Sequence, residues 1–247
     1  MAKKMTAALA AGLLLTLSAC AAPAEMPQDE THKIASESSA TPSPTPEVQD
    51  LSAAEIATTA GAVIAAQLGF PNSAKIQGED LEALAVKPTD TLKDIVVLPG
   101  QCADPVNDLN WSPVQLGTEG ARTDFTNDAQ NITGSIEVAK LENDEDRASA
   151  TEHFANVDTI LADCKTVTIS GLDYSETLKF SDPAVDSVDS ALYYTRDGQY
   201  PQDSLVLISL TEDYAGMVSF VSATALDDQT FNQVATSILQ TAMTQVQ

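Results

Sequence analysis

Side chains that could carry out chemistry are scarce in this sequence of 247 residues, which contains three cysteines and two histidines. Hydrolysis by a catalytic triad needs a histidine beside a nucleophile, because the histidine must take up and return a proton. His153 is the only histidine outside the N-terminal region, and the pattern around it predicts a helix. We interpret His153 as an ordinary residue on the helix surface, with a catalytic or ligand-binding role as the alternative.

The sequence also lacks the motifs of common catalytic and metal sites. It has no Gly-x-Ser-x-Gly, Ser-x-x-Lys or His-Glu-x-x-His pattern, no phosphate-binding loop and no dinucleotide fingerprint. The acidic clusters at 143–146 and 182–189 lack the glycine and glutamate positions of a calcium loop. We therefore predict no catalytic residue, no metal site and no cofactor.

The N-terminal segment has the layout of an export signal. Lys3 and Lys4 precede the apolar stretch 5–17, and Ser18-Ala19-Cys20 follows it directly. With Leu17, this order resembles the lipobox of bacterial lipoproteins. The resemblance implies that residues 1–19 are removed as a signal peptide and that Cys20 receives a diacylglyceryl group. Acylation of the new amino terminus, for example by palmitate, would follow.

Several acyl chains on one residue hold a protein on a membrane essentially permanently. The resemblance therefore implies a protein anchored in the lipid bilayer through Cys20, on the extracytoplasmic side of the cell membrane. A transmembrane helix needs about 20 apolar residues, and this stretch is shorter. A secreted protein cleaved after Ala22 or Ala24 is the alternative, since Ala22-Pro23-Ala24 also matches a signal-peptidase site.

The charge of the chain limits its partners. Loss of Lys3 and Lys4 with the signal leaves 10 basic residues against 36 acidic ones, a net charge of −26. Nucleic acid is excluded as a partner, because its phosphates need neutralisation by Lys and Arg. The same charge disfavours a protein surface lying on anionic lipids. We interpret the acidity as a source of solubility, with binding of a cation or a cationic partner as the alternative.

Two cysteines remain once Cys20 is lipidated. An even number in an oxidising compartment predicts a disulfide between Cys102 and Cys164. The bridge would close a loop of about 62 residues and stabilise the fold by roughly 4 kcal/mol in the chain-entropy model. Two separate buried thiols are the competing interpretation.

The composition divides the mature chain into a linker and one domain. Residues 20–50 have few large apolar side chains, and proline alternates with other residues over 41–46, which favours extended conformations. We predict a disordered linker there. Residues 51–247 are numerous enough for one domain with its own core.

Hydrophobic spacing over 51–247 predicts the order helix, strands, helix, strand meander, helix. Ser52 and Glu55 form a capping box for the first helix. Apolar residues repeat at helical intervals over 150–164 and again over 231–246. Strands are predicted at 81–86, 94–98, 132–140, 166–170, 174–180, 190–196, 205–211 and 217–226. We expect a single α+β domain whose antiparallel sheet carries its helices on one face.

The globular part resembles the PknH-like extracellular domain, which occurs on mycobacterial sensor kinases and on many actinobacterial lipoproteins. The resemblance covers roughly residues 95 to 247 and is carried by Pro99-Gly100-Gln101-Cys102-Ala103, by Phe154 and Ala162-Asp163-Cys164 of an acidic helix, and by Thr166-Val167-Thr168. Members often have four cysteines, whereas this domain has two. The resemblance implies a sensing or binding domain with a cleft over its sheet, and it transfers no ligand. Lipoproteins of the LpqN type are the alternative relatives.

We predict a non-enzymatic ligand-binding or sensor domain that holds a small molecule, a lipid or a protein. An envelope hydrolase and an adaptor for a membrane or cell-wall complex are the alternatives. Trp111, the single tryptophan, is the one candidate binding residue. We prefer to interpret it as a cap on the core beside the disulfide, and an exposed ligand platform is the alternative.

Overall fold

A nine-stranded antiparallel sheet organises the part of the chain that the structure describes. The computed structural model describes residues 50–89, 91–116 and 119–247, so the predictions for the signal segment, Cys20 and the linker up to residue 49 lie outside it. The strands are β1 (Asn72–Ile76), β2 (Val96–Leu98), β3 (Gly120–Asn127), β4 (Ile132–Lys140), β5 (Thr166–Ser170), β6 (Ser175–Ser181), β7 (Ser190–Asp197), β8 (Gln202–Leu210) and β9 (Tyr214–Ser222). Their order across the sheet is β1-β3-β4-β9-β8-β7-β6-β5-β2.

Five helices accompany the strands in the described residues: α1 (Ala53–Gln67), α2 (Glu79–Leu84), α3 (Ala103–Asn107), α4 (Asp144–Asp163) and α5 (Gln229–Thr244). The long helices begin where the sequence supplies an N-terminal cap. Ser52 and Glu55 form the predicted capping box of α1. Asn143 accepts backbone hydrogen bonds at the start of α4, and Asp228 does so for α5. No helix among the described residues is long and apolar enough to cross a membrane.

Helices α1 and α5 cover one face of the sheet. Successive side chains of a strand point to opposite faces, and Ile136 and Val138 of β4 point into the core beneath α1 and α5. Gly61 lets α1 approach closely, because a Cβ atom there would lie 3.2 Å from Ile136. This core extends over β3, β8 and β9.

Helix α4 covers the opposite face. Val157 and Ile160 pack with Val167, Leu178 and Leu192 of β5, β6 and β7. The α+β class, the antiparallel sheet and the single domain are confirmed, but the helices do not all share one face as the sequence analysis expected. The continuous apolar run 205–208 in β8 supplies both cores, which is typical of a strand buried on both sides.

The disulfide between Cys102 and Cys164 is also confirmed, with Cα atoms 5.8 Å apart. Because the two sulfur atoms are bonded to each other, the alternative of two separate buried thiols is wrong. The bond connects the start of α3 to the end of α4. It therefore holds the segment that follows α3 close to α4.

Two edge regions differ from the prediction. The strand predicted over 81–86 is wrong, because α2 occupies 81–84 and no strand follows it at 85–86. Strands β1 and β3 were not predicted. β1 lies at the edge of the sheet with its side chains largely exposed, so it lacks the alternation that identifies a strand in a sequence.

Candidate binding cavity

The segment after α3, residues 108–116, lies over the face of the sheet that α4 covers. Helix α4 holds both α3 and one side of the segment: the Asn156 side-chain amide donates to the Pro105 carbonyl of α3 at 2.9 Å, and Trp111 Nε1 donates to Ser149 Oγ at 3.3 Å. Together with the disulfide, these contacts fix the segment along the helix.

Glu137 on β4 holds the other side of the segment. Its carboxylate accepts a hydrogen bond from Ser112 Oγ at 2.6 Å and one from Arg122 Nη1 at 2.7 Å. The backbone of Val114 contributes a further hydrogen bond. Arg122 also pairs with Asp124, at 2.6 Å. The segment is therefore attached to the sheet by a buried acid that the sequence analysis did not identify.

The pKa of Glu137 reflects this setting. The side chain is 0% exposed, and its burial raises the pKa above the usual range. The hydrogen bonds from Ser112 and Val114 and the charge of Arg122 lower the pKa in opposition. Burial is the largest of these effects.

Trp111 and His153 stack face to face above the sheet. Their ring centroids are 4.7 Å apart and their planes differ by 14°. Both residues are buried, with 8% and 7% of their surface exposed. The interpretation of Trp111 as an exposed platform is therefore wrong. It belongs to a core cluster with Ala150, Ile208 and Met217.

The interpretation of His153 as a helix-surface residue is also wrong. His153 lies on the buried stripe of α4 together with Ala150, Val157 and Ile160. These positions are three or four residues apart, which is the spacing of one helix face. The spacing is visible in the sequence. Because histidine is not counted as an apolar residue, the apolar stripe of this helix was predicted without His153.

Burial keeps the His153 ring neutral. The pKa of His153 is lowered from 6.5 to about 4, mainly by burial and also by the charge of nearby Lys87. The main chain of Asp108 raises the pKa as a hydrogen-bond acceptor but does not offset the burial. Nδ1 of His153 is buried without a hydrogen-bond partner among the described residues.

A cavity of about 190 Å³ lies beneath the stacked rings. Its floor consists of side chains from the central strands, and most of them are apolar: Leu192, Tyr194, Val206, Ile208 and Met217. Ser190, Ser219 and Asn110 add polar atoms, and Ser219 Oγ is hydrogen-bonded to Ser135 Oγ at 2.8 Å. No charged side chain lines the described cavity.

A polar groove lies on the other side of the stacked rings. Trp111 and His153 line the groove as well as the cavity. The other walls of the groove include Lys87, Asp108 and Glu152. The two rings therefore separate an apolar interior space from a charged surface depression.

The described residues bring together no catalytic or metal-binding group. No cluster of three or more His, Cys, Asp or Glu side chains that could hold a metal ion occurs in 50–89, 91–116 and 119–247. His153, the histidine in these ranges, stacks on Trp111, and its Nδ1 makes no hydrogen bond to a hydroxyl. The arrangement offers a cavity, and no nucleophile lies beside a base among the described residues.

Comparisons with known proteins yield solved structures of weak similarity. No protein-family model matches the chain, and no curated protein matches it. The extracellular domain of PknH from Mycobacterium tuberculosis is 14% identical with a TM-score of 0.45, and the match covers 77% of this chain and 95% of that one. An uncharacterised protein from Mycobacterium smegmatis, an Rv0999 ortholog, is 15% identical with a TM-score of 0.45. That match covers 78% of this chain and 97% of the other.

Replacing Glu137 should detach the segment from the sheet. We expect Glu137→Ala to lower the free energy of unfolding by about 3 kcal/mol. This value is at the lower end of the range for breaking a buried ion pair, because Arg122 retains its ion pair with Asp124. The matched control is Lys179→Ala, which removes an exposed ion pair to Asp197 and should cost at most about 1 kcal/mol. Urea unfolding measures both changes, and equal losses would show that Glu137 has no special role.

The low pKa of His153 predicts a specific loss of stability in acid. The unfolded state takes up a proton below its pKa of 6.5, whereas the folded state does so only near 4. Unfolding is therefore favoured as the pH falls through this window. Between pH 7 and pH 4, wild type should lose about 3 kcal/mol more than His153→Phe, which stacks but does not titrate. Parallel losses in urea unfolding at both pH values would contradict the prediction.

Proposed function

We propose that this protein is a lipid-anchored, extracytoplasmic domain that binds a small ligand in the cavity beneath Trp111 and His153 and catalyses no reaction itself. The observation that carries the proposal is the cavity, which is mostly apolar, lined by the two stacked rings and built on central strands of the sheet. Ligand sites in proteins are usually concave, mostly apolar and supplied with a few polar groups.

The size of the cavity favours a functional role over a packing defect. Protein interiors are close-packed, with few voids larger than a water molecule. A concavity of about 190 Å³ is larger than an ordinary packing imperfection, and functional sites are where proteins depart from optimal packing.

The walls of the cavity support binding without large rearrangement. The floor lies on β7, β8 and β9 in the middle of the sheet, and the roof is fastened to α4 by hydrogen bonds and to β4 by Glu137. A site that is already formed before the ligand arrives pays less entropy on binding. We infer a pre-organised binding site rather than a loop that orders on contact.

Two features support an envelope location. The disulfide between Cys102 and Cys164 belongs in an oxidising compartment. The segment Leu17-Ser18-Ala19-Cys20 has the pattern of a lipidation site. A domain held near the membrane in this way could sample molecules in the envelope and retain them.

The ligand proposal predicts that the domain carries a molecule when isolated from its own cells. Native mass spectrometry of the mature domain should detect a species heavier than the polypeptide by the mass of a ligand. The fraction of protein in this ligand-bound form should fall in Val206→Phe, because the larger side chain fills the cavity. Val221→Phe, the same change at an exposed site on β9, is the control. Trp111 emission reports folding and occupancy together, because it is the single tryptophan. A ligand retained equally by both variants would place binding elsewhere.

The anchoring proposal predicts a change of compartment on loss of one residue. Wild type should incorporate labelled palmitate and sediment with the membranes, whereas Cys20→Ser should incorporate none and leave the membrane fraction. Cys164→Ser removes a different cysteine and should still be labelled. Recovery of unlabelled wild type in the cytosol would contradict both the anchor and the export.

A further inference from the structure

Helices α1 and α5 form a layer with almost no charge on a strongly acidic protein. Charged residues make up 19% of the chain, yet α1 contains one, Glu55, and α5 contains none. Glu55 serves the start of its helix, where it accepts a hydrogen bond from the Ser52 backbone at 2.9 Å. The two helices pack on each other, since a Cβ atom on Gly61 would lie 3.4 Å from Ala242. The helices thus form a nearly uncharged layer, and depletion of charge distinguishes the core of a protein interface from ordinary surface.

The outer side of α1 is apolar. Ile56 and Val63 are seven positions apart and therefore lie on the same side of the helix. They are 46% and 53% exposed, whereas the opposite side of α1 is buried against the sheet. A helix that is apolar all round is typically covered on both sides. The outer side of α1 has no such cover among the described residues.

The outer side of α5 is polar, but it can be covered at low cost. Ser237, Thr241 and Thr244 each donate to the carbonyl four residues earlier, at 2.7, 2.8 and 2.7 Å. Burying a polar group is costly mainly when the group loses its hydrogen bond, and these hydroxyl groups keep theirs. The exposed amides of Gln233 and Gln240 both donate and accept, so a similar surface can satisfy them.

The charge of the protein favours a second copy as the partner. A cationic partner is attracted to acidic surface and gains nothing from an uncharged face. Helices that lie on a bilayer carry Lys and Arg on their polar side, and α1 and α5 contain neither. Two chains of net charge −24 repel each other over most of their surface. A two-fold axis through this layer brings the same uncharged patch of both copies together without opposing acids.

The size of the layer indicates a weak dimer. At about 1.5 Å per residue and a diameter of about 10 Å, the two helices are roughly 23 Å long and together about 20 Å wide. A flat footprint of roughly 450 Å² is below the roughly 800 Å² per partner of a standard stable interface. The dimer should therefore exchange with the monomer in solution.

We propose that the protein forms a symmetric homodimer through the α1–α5 layer, with Ile56 and Val63 buried between the subunits. The dimer leaves α4, Trp111 and the cavity uncovered, because they lie on the opposite face of the sheet. Each subunit keeps its own cavity, so dimer formation adds to the proposed function and does not depend on it.

Sedimentation velocity over a range of concentrations tests the dimer, using the mature chain with Cys20→Ser to remove the acyl chains. In this background Val63→Asp should raise the dissociation constant at least about tenfold, because each dimer would bury two unpaired carboxylates. Val96→Asp is the matched control. Val96 is 58% exposed and lies on β2 at the edge of the sheet, so this variant should dimerise like its parent. Circular dichroism verifies that both variants are folded.

Added salt should strengthen the dimer, because it screens the repulsion between the acidic subunits and leaves an uncharged contact unaffected. A dimer that weakens with salt, or that both valine substitutions weaken equally, would overturn the proposal and place association at another surface. A chain that stays monomeric at about 1 mM would overturn it as well. Flotation of the monomer with neutral phosphatidylcholine vesicles, lost in Val63→Asp, would replace the second copy by the bilayer.

Discussion

The buried carboxylate of Glu137 is the interaction on which the candidate site depends. It accepts hydrogen bonds from Ser112 and Arg122 and thereby attaches the segment that carries Trp111 to β4. A carboxylate in the interior is costly to desolvate, and it is tolerated only with partners of this quality. The same requirement makes the attachment specific, since a shifted segment would leave the charge of Glu137 without compensation.

The cavity follows from how the second face of the sheet is covered. Helices α1 and α5 close the first face with side chains that interdigitate, and Gly61 shows how closely α1 approaches. The other face is shared between α4 and the segment after α3. The disulfide and Asn156 join α4 to α3, and Trp111 of the segment donates a hydrogen bond to Ser149 of α4. A helix and an irregular segment do not fill the surface as completely as two helices. The space that remains above β7, β8 and β9 is roofed by Trp111 and His153.

Elements with a strong local signal were predictable. The capping box at Ser52 correctly predicted α1, and the apolar stripe of 231–246 predicted α5. The helical repeat over 150–164 predicted α4. The even cysteine count correctly paired Cys102 with Cys164. β1 and α2 were missed because they lie at the periphery with few buried side chains. Their conformation depends on neighbouring parts of the fold more than on their own sequence.

The sequence by itself determined the class of the fold, the disulfide and the absence of recognisable catalytic motifs, because each depends on residue types and short-range spacing. Only the tertiary structure decided which side chains form the site. Trp111 and His153 are 42 positions apart, and neither carries a signal that they stack. Glu137 resembles an ordinary polar position of an alternating strand. Such contacts arise from packing between segments that are distant in the sequence, and the local sequence pattern does not predict them.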